Sequence, residues 1–334
     1  MMKHMRMLPL LALVFAFGCS GGDKTAAGTT GSEATKSDFK VALLTPGPVS
    51  DAGWNALAYD GLQAIKSGLG AEVNNQEATD SGIRDAMRTY AQEKYNLIIG
   101  HGYEYNQVEA EVAKDFPDTV FVSSSGGQSG ANFGGFRFYL EQGFYLAGMT
   151  AAGISKTGVI ATVGLDVPSI ISTFKAFEAG AKSVKPDIVI VKKLVPLPGN
   201  DPAAYKQATL AAIAEKADYI IHQANQGAQA VFNAAKEKNV HVFGSNADQN
   251  ANESGVVIAS AVIVAKPAFL DLAKRVKDKS YKGGIDLIGM DKGAIDFVIN
   301  PKFADQVPAE LKAKIDQAKA DITSGKLTVP KDEF

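Results

Sequence analysis

The single tryptophan of the chain, Trp54, lies in a polar segment that follows an apolar run, with Asp51 and Asn55 beside it. An indole can offer its flat face to a planar ligand, and such stacking contributes roughly 1–3 kcal/mol per ring. The neighbouring carboxylate and amide could bind the polar edge of that ligand. A structural role also fits, in which Trp54 packs a helix onto a sheet and Asp51 caps the helix. The pattern alone leaves both interpretations open.

Four further residues follow other apolar runs and are candidates for the same ligand-binding site. A tyrosine or an amide can form directed hydrogen bonds, a carboxylate accepts well from two neighbouring sugar hydroxyls, and glycine permits close approach of a ligand. Each also fits an ordinary turn, and His101 fits a structural role better than a ligand contact. The candidates are Tyr103, Asn225, Gly227 and Asp248.

Patterns that carry catalytic or metal chemistry are missing from the sequence. Its four histidines lack zinc-ligand spacing, and it contains no P-loop and no complete dinucleotide fingerprint. The segment Gly127-Gln128-Ser129-Gly130 is followed by alanine, which breaks the GxSxG nucleophile pattern. An enzyme that uses carboxylates alone stays possible, although no recognisable pair is present. We therefore expect a binding protein with no catalytic residue, no cofactor and no metal.

The N-terminus is organised like a secretory signal. Lys3 and Arg6 precede a short apolar run that ends at Cys19, the only cysteine. This run is shorter than the about 20 residues that span a bilayer. Because a cysteine after small residues resembles the bacterial lipobox, we predict a signal peptide over 1–18, lipidation at Cys19 and a flexible tether over 19–38. The protein would then be exported and lipid-anchored to the cell membrane or outer membrane; a soluble exported protein is the alternative.

Composition limits the remaining partners. The chain has 334 residues, 46% of them hydrophobic, which suffices for one or two buried cores. Its net charge of -2 lacks the excess of positive charge that is typical of proteins that bind nucleic acid. We expect a monomer that binds a small molecule and no nucleic acid.

Short apolar strands alternate with amphipathic helices from residue 39 onward, which predicts parallel sheets with helical crossovers. Two segments, 40–44 and 93–99, have counterparts roughly 120 residues later, which indicates two lobes of one topology. We predict strands over 41–44, 97–100, 120–123, 159–163, 188–191, 219–222, 240–243 and 256–259. Helices are predicted over 54–67, 82–93, 107–114, 169–183, 203–216 and 228–238.

Each lobe is therefore expected to be a doubly wound α/β sheet, and ligands bind such sheets beyond the carboxyl ends of their strands. Two facing lobes would share one cleft. We expect the N-terminal lobe to comprise 39–150 plus about 262–285, and the C-terminal lobe 151–261 plus about 286–334. The chain would cross between lobes near 148–156 and 260–266, with a return near 284–295.

Several segments resemble the basic membrane protein family of substrate-binding lipoproteins, which includes receptors of the purine nucleoside receptor A type. The resemblance covers essentially the whole mature chain, and its more specific parts are Trp54 with Asn55 and the run Tyr145-Leu146-Ala147-Gly148. It implies a type I periplasmic-binding-protein fold and a receptor that delivers purine nucleosides or free purines to an ABC transporter permease. It also implies that Trp54 stacks on the base, that Asn55 binds beside it and that Asp248 holds sugar hydroxyls.

The sequence departs from this family in ways that bear on the ligand. Many members carry an aromatic residue where this chain has Leu197-Pro198-Gly199, and the nucleoside-binding branch tends to have a lysine that is missing after Ser260. The first acidic position of the Asp248 loop is Asn246. These changes weaken the ribose prediction relative to a free base. A binding protein for a sugar or another small ring, or an enzyme on the same fold, stays an alternative.

Overall fold

A computed structural model describes residues 38–51 and 53–333. The predicted signal peptide, the lipidation site at Cys19 and the tether up to residue 37 lie outside the described residues. No helix within the described part of the chain is both long and apolar enough to cross a membrane.

The described residues form twelve strands and nine α-helices. The strands are β1 (Lys40–Thr45), β2 (Glu72–Glu77), β3 (Leu97–Gly100), β4 (Val120–Ser124), β5 (Phe133–Phe138), β6 (Val159–Leu165), β7 (Val189–Val195), β8 (Tyr219–Gln223), β9 (His241–Asn246), β10 (Val257–Ile263), β11 (Gly284–Ile288) and β12 (Ile295–Ile299). The helices are α1 (Trp54–Leu69), α2 (Ser81–Gln92), α3 (Glu104–Val112), α4 (Glu141–Ile154), α5 (Pro168–Val184), α6 (Pro202–Ala214), α7 (Ala228–Glu237), α8 (Ala265–Lys277) and α9 (Ala309–Thr323).

The strands form two six-stranded sheets of matching topology. The first sheet has the order β11-β5-β4-β3-β1-β2, and the second has the order β12-β10-β9-β8-β6-β7. All neighbours pair in parallel except β12, which runs antiparallel to β10. Central strands such as β3 are buried along their whole length, because helices cover both faces of each sheet. The predicted pair of doubly wound α/β lobes is confirmed.

The chain passes between the two sheets three times. The second and third passages, after β10 and between β11 and β12, lie within the predicted ranges. The first prediction, near 148–156, is wrong. Helix α4 already packs on α5, α9 and β10 of the second lobe, so the passage lies between β5 and α4. The expected lobe boundary at residue 150 therefore falls inside a helix of the second lobe.

Small residues let α4 and α5 approach each other closely. A Cβ atom added at Gly148 would lie 2.0 Å from the carbonyl oxygen of Phe177, and one added at Gly180 would lie 1.9 Å from that of Tyr145. No side chain fits at such distances, so the two backbones pack directly against each other. The Tyr145–Gly148 run of the sequence is explained by this contact.

Candidate ligand-binding cleft

A cavity of about 1070 Å³ lies between the carboxyl ends of the two sheets. One wall comes from the segments after β1, β2 and β3, and the other from the segments after β6, β7, β8 and β9. The predicted site residues Asp51, Trp54, Asn55, Tyr103 and Asn225 all line this cavity. The structure therefore brings five of the seven predicted ligand-binding residues together in one cleft.

Trp54 is held in a fixed orientation by His101. The indole and imidazole rings stack with their centroids 3.9 Å apart and their planes 22° from parallel. The indole Nε1–H donates to the His101 carbonyl oxygen at 3.3 Å, and the His101 Nε2 lies 2.9 Å from the Trp54 carbonyl oxygen. One face of the indole is thus covered by the His101 ring, and the half-buried Trp54 also lines the cavity.

His101 has the structural role that its sequence context favoured. Its side chain is buried, and burial lowers its pKa to about 3, although the hydrogen bond to the Trp54 carbonyl opposes this shift. The ring is therefore neutral near pH 7. Because a carbonyl oxygen only accepts, Nε2 carries the proton, and Nδ1 accepts from the Ser124 hydroxyl at 2.7 Å.

Asp51 caps the start of α1 and also lines the cavity. Its carboxylate accepts from the backbone N–H groups of Gly53 at 3.0 Å, Asn55 at 2.9 Å and Ala56 at 2.9 Å. A negative charge at this position also complements the helix dipole. These three bonds occupy both carboxylate oxygens, so Asp51 organises the turn that presents Trp54.

Asn55 lines the cavity and carries a buried, unsatisfied polar atom. Its side chain is only 5% exposed, and its Oδ1 atom is buried with no hydrogen-bond partner among the described residues. Burying an amide oxygen without a partner costs about 1–3 kcal/mol. A ligand that donates a hydrogen bond to this oxygen would recover that cost.

The opposite wall is built of amides and an apolar loop. Asn225 and Asn246 bond to each other, with 3.2 Å between the Asn246 Nδ2 and the Asn225 Oδ1. The Gln223 side chain donates to the Thr173 hydroxyl at 2.9 Å. The apolar part of the wall includes Leu197, Pro198 and Gly199, in the segment where the sequence lacks an aromatic residue.

Two predicted site residues do not line the cavity. Gly227 is buried under the ring of Tyr205, where an added Cβ would lie 2.2 Å from Cδ2, so its small size serves packing. Asp248 is exposed and accepts from the Asn250 backbone N–H at 3.0 Å, as a turn residue does. Asn246, two residues earlier, lines the cavity instead.

The charge of the cavity wall was not foreseen from the sequence. Three carboxyl groups besides Asp51 line the cavity, those of Asp80, Glu104 and Glu141. The only basic residue among the lining residues is Arg137, which pairs with Glu141 and donates to the Asp332 carbonyl oxygen at 2.6 Å. Burial raises the pKa of Glu104. Acidic residues therefore outnumber basic ones among the lining residues, although burial favours the neutral form of Glu104.

Arg137 connects both lobes to the C-terminal segment of the chain. It lies at the end of β5, whereas its partner Glu141 also accepts from Ser172 on α5. The backbone N–H of Asp332 donates to the same Ser172 hydroxyl at 2.9 Å, and the Tyr139 hydroxyl donates to the Val329 carbonyl oxygen. Sequence reasoning missed this network because its members lie far apart in the chain. No group of three or more metal-ligating side chains occurs within the described residues.

Comparisons with known proteins agree with this architecture. Residues 39–333 match the model of the Bmp family, described as PnrA-like ABC transporter substrate-binding proteins. An ABC transporter nucleoside-binding protein of Lactococcus lactis is 30% identical, with 97% of each chain covered. A purine-binding protein of Brucella abortus is 26% identical, over 86% of this chain and 82% of that protein.

A solved structure supports the fold independently. The solute-binding protein of an ABC transporter system from Aeropyrum pernix superposes with a TM-score of 0.76 at 19% identity, covering 88% of this chain and 94% of that one. At this identity the likeness shows the fold alone. The fold is the predicted type I periplasmic-binding-protein fold.

Proposed function

The chain belongs to the Bmp family of PnrA-like ABC transporter substrate-binding proteins, and on that premise we propose that it binds a purine nucleoside or purine base in the interlobe cleft. It would hand this ligand to a transporter permease without making or breaking a bond in it. Two relatives are named for binding a nucleoside and a purine, which supports the proposed ligand class.

The observation that carries the proposal is the fixed orientation of the Trp54 indole at the cavity wall. Its ring stacks on a neutral imidazole and its N–H is already bonded, so its orientation is set before a ligand arrives. A pre-oriented ring loses little conformational freedom on binding, and this leaves more of the stacking energy for affinity. A purine is a flat ring system that matches such a surface.

The polar groups around Trp54 favour a neutral ligand that donates hydrogen bonds. The buried Oδ1 of Asn55 and the Glu104 carboxyl are acceptors that an N–H group of a base could satisfy. The acidic wall and the engaged state of Arg137 disfavour a phosphate group, since like charges repel in a partly desolvated site. We therefore propose a nucleoside or base in preference to a nucleotide.

The second wall would complete the site when the lobes close. Leu197, which is 59% exposed, and Pro198 offer an apolar surface for the other face of the ring. Asn225 and Asn246 supply amide groups for a sugar or for the edge of the base. The sugar contact predicted for Asp248 would require the loop that carries Asp248 to shift toward the cleft. This contact and the ligand contact predicted for Gly227 both stay predictions.

Closure of the two lobes would couple binding to transport. A ligand that contacts both walls stabilises the closed form, because only that form makes both sets of contacts. The permease would recognise the closed shape. Export, lipidation at Cys19 and a monomeric state are part of the same proposal and rest on the sequence.

The test combines identification of the bound molecule with a thermal-shift panel. Mass spectrometry of material that copurifies with the mature chain should find a purine or nucleoside, and nucleosides or bases should raise the melting temperature. Ribose and nucleoside monophosphates should have little effect. A shift with ribose alone would support a sugar-binding protein, and conversion of a nucleoside to its base would reveal an enzyme; either result would overturn the proposal.

A further inference from the structure

A basic surface lies at the end of the first lobe that is opposite the cleft. Four of its lysines belong to the C-terminal part of α8 and the loop that follows, and one to the last turn of α1. All five are exposed, and none has an acidic partner within the described residues. We call this group the basic patch, and it comprises Lys66, Lys274, Lys277, Lys279 and Lys282.

The topology fixes the position of the basic patch. The residues that follow α8 lead into β11, which is parallel to β5 and therefore starts at the same edge of the sheet as β1. The C-terminus of α1 reaches that edge too, because β2 starts there. The cleft lies at the opposite edge, where the strands end. The patch and the ligand site thus lie at opposite ends of the lobe.

Three acidic side chains belong to the same segment of the chain, and they are outnumbered by Arg275 and the lysines of the patch. Asp271 and Asp286 both pair with Arg275, at 3.1 Å and 2.6 Å, and Asp278 accepts from the Ser280 backbone N–H at 3.0 Å. Lysines near a helix C-terminus stabilise its dipole, and Lys277 does so by donating to the Leu69 carbonyl oxygen at 3.0 Å. This helix role accounts for one or two cations, not for five on one surface of a chain whose net charge is -2.

The patch lies where the N-terminal segment joins the folded lobe. The ammonium group of Lys277 is 5.8 Å from the centre of the Phe39 ring, and Phe39 directly precedes β1. A lipid on Cys19 would be separated from this point by a segment that spans at most about 65 Å when fully extended. The anchor proposed from the sequence would therefore attach the folded lobe to a lipid surface at the edge that carries the basic patch.

We propose that the basic patch docks on anionic phospholipid headgroups. Clusters of lysines beside a membrane attachment point are attracted to negatively charged lipids, and the attraction falls off within a Debye length of about 8 Å. Docking by this edge places the cleft and the second lobe on the side of the first lobe that is away from the bilayer. The contact is electrostatic, so it releases readily when the protein must reorient toward a permease. It requires no ligand, and its test is independent of the proposed purine.

Vesicle cosedimentation tests the proposal on the mature chain that starts at Ser20 and carries no lipid. The chain should bind vesicles that contain phosphatidylglycerol and should not bind vesicles of phosphatidylcholine alone. High salt should abolish the binding to phosphatidylglycerol vesicles. Replacing Lys274, Lys277, Lys279 and Lys282 by Gln should weaken binding on the order of tenfold or more. Replacing the same four residues by Arg should preserve it, which separates lost charge from a folding defect.

A matched control removes the same charge from the other lobe. Lys236, Lys238, Lys312 and Lys314 are exposed and have no acidic partner within the described residues, and their replacement by Gln should leave vesicle binding nearly unchanged. Equal losses in both Gln variants would show a general charge effect and refute the patch. Wild-type binding to polyglutamate but not to phosphatidylglycerol would assign the patch to an acidic protein and overturn the membrane proposal.

Discussion

Replacing Trp54 by alanine should weaken ligand binding in addition to its cost in folding stability. The substitution removes a side chain that lines the cavity, its ring stack on His101 at 3.9 Å and its hydrogen bond of 3.3 Å. Loss of base stacking costs roughly 1–3 kcal/mol. Since 1.4 kcal/mol corresponds to a factor of ten, the dissociation constant should rise by about 5-fold to 150-fold.

Isothermal titration with the nucleoside that gives the largest thermal shift measures this change directly. The wild-type protein offers a second readout, because Trp54 is its only tryptophan and its fluorescence should change when a base stacks on it. Trp54→Phe keeps a flat ring but loses the N–H donor, so its affinity should lie between those of the wild type and Trp54→Ala.

Tyr59→Ala is the matched control for destabilisation. Tyr59 lies on the same helix and packs on the same core, but it does not line the cavity. Its replacement should lower the melting temperature and leave the dissociation constant within about twofold. An affinity for Trp54→Ala within twofold of the wild type, or an equal loss in Tyr59→Ala, would refute the stacking argument.

Three further predictions concern stability. Burial lowers the pKa of His101 to about 3 and that of His222 to about 4. Between pH 7 and pH 5 the unfolded chain therefore binds protons at these two histidines that the folded chain does not bind. The free energy of unfolding should fall by about 2 kcal/mol per histidine over this range. Urea titrations at both pH values measure this, and a double His101→Asn, His222→Asn variant that keeps the full slope would contradict it. Arg137→Met leaves Glu141 buried without its partner and should lower the free energy of unfolding by about 3–5 kcal/mol. The control Lys175→Met removes an exposed ion pair with Asp332 and should lower it by about 0–1 kcal/mol. Equal losses in the two variants would show that the Arg137 network does not stabilise the fold. Gly180→Val should prevent the contact of α4 with α5 and abolish a cooperative melt, while Gly82→Ala, with open space around it, should change stability by less than about 1 kcal/mol.

The sequence predicts the central elements because their signals are local. Strands such as β3 are continuous apolar runs, and the helices that cover them are amphipathic. All eight predicted strands and six predicted helices are present within a few residues of their expected bounds. The twofold repeat and the position of the cleft follow from the same local patterns, since ligand sites lie at the carboxyl ends of parallel strands.

Elements that depend on distant partners are not visible in the sequence. Strand β2 (EVNNQE) is polar because it lies at a sheet edge, and it forms only by pairing with β1. Helix α4 is buried almost all round, so it lacks the amphipathic period of a surface helix. The side chains of Arg137 and Glu141 lie 4 residues apart, but the carbonyl that completes their network belongs to Asp332.

The candidate site shows the same division between local and distant signals. Asp51 and Trp54 could be placed from one short segment, because a cap and the helix it starts are neighbours in sequence. The choice between Asn246 and Asp248 depends on how a loop turns after β9, and both residues have suitable side chains. The excess of acidic groups in the wall emerges only when the segments after β1, β2 and β3 meet at one edge of the first sheet.

The order of β11 and β12 has a consequence for how the polypeptide reaches its native state. The outermost strand of the first sheet is residues 284–288, and that of the second is residues 295–299. Neither lobe is therefore encoded by one uninterrupted stretch, and a ribosome must release almost the entire chain before either sheet can be completed. Dividing the gene between the two repeats would leave the N-terminal fragment without β11, whereas the C-terminal fragment would keep β12 and carry β11 without its sheet. Both fragments would then expose unpaired strand edges, which invite aggregation.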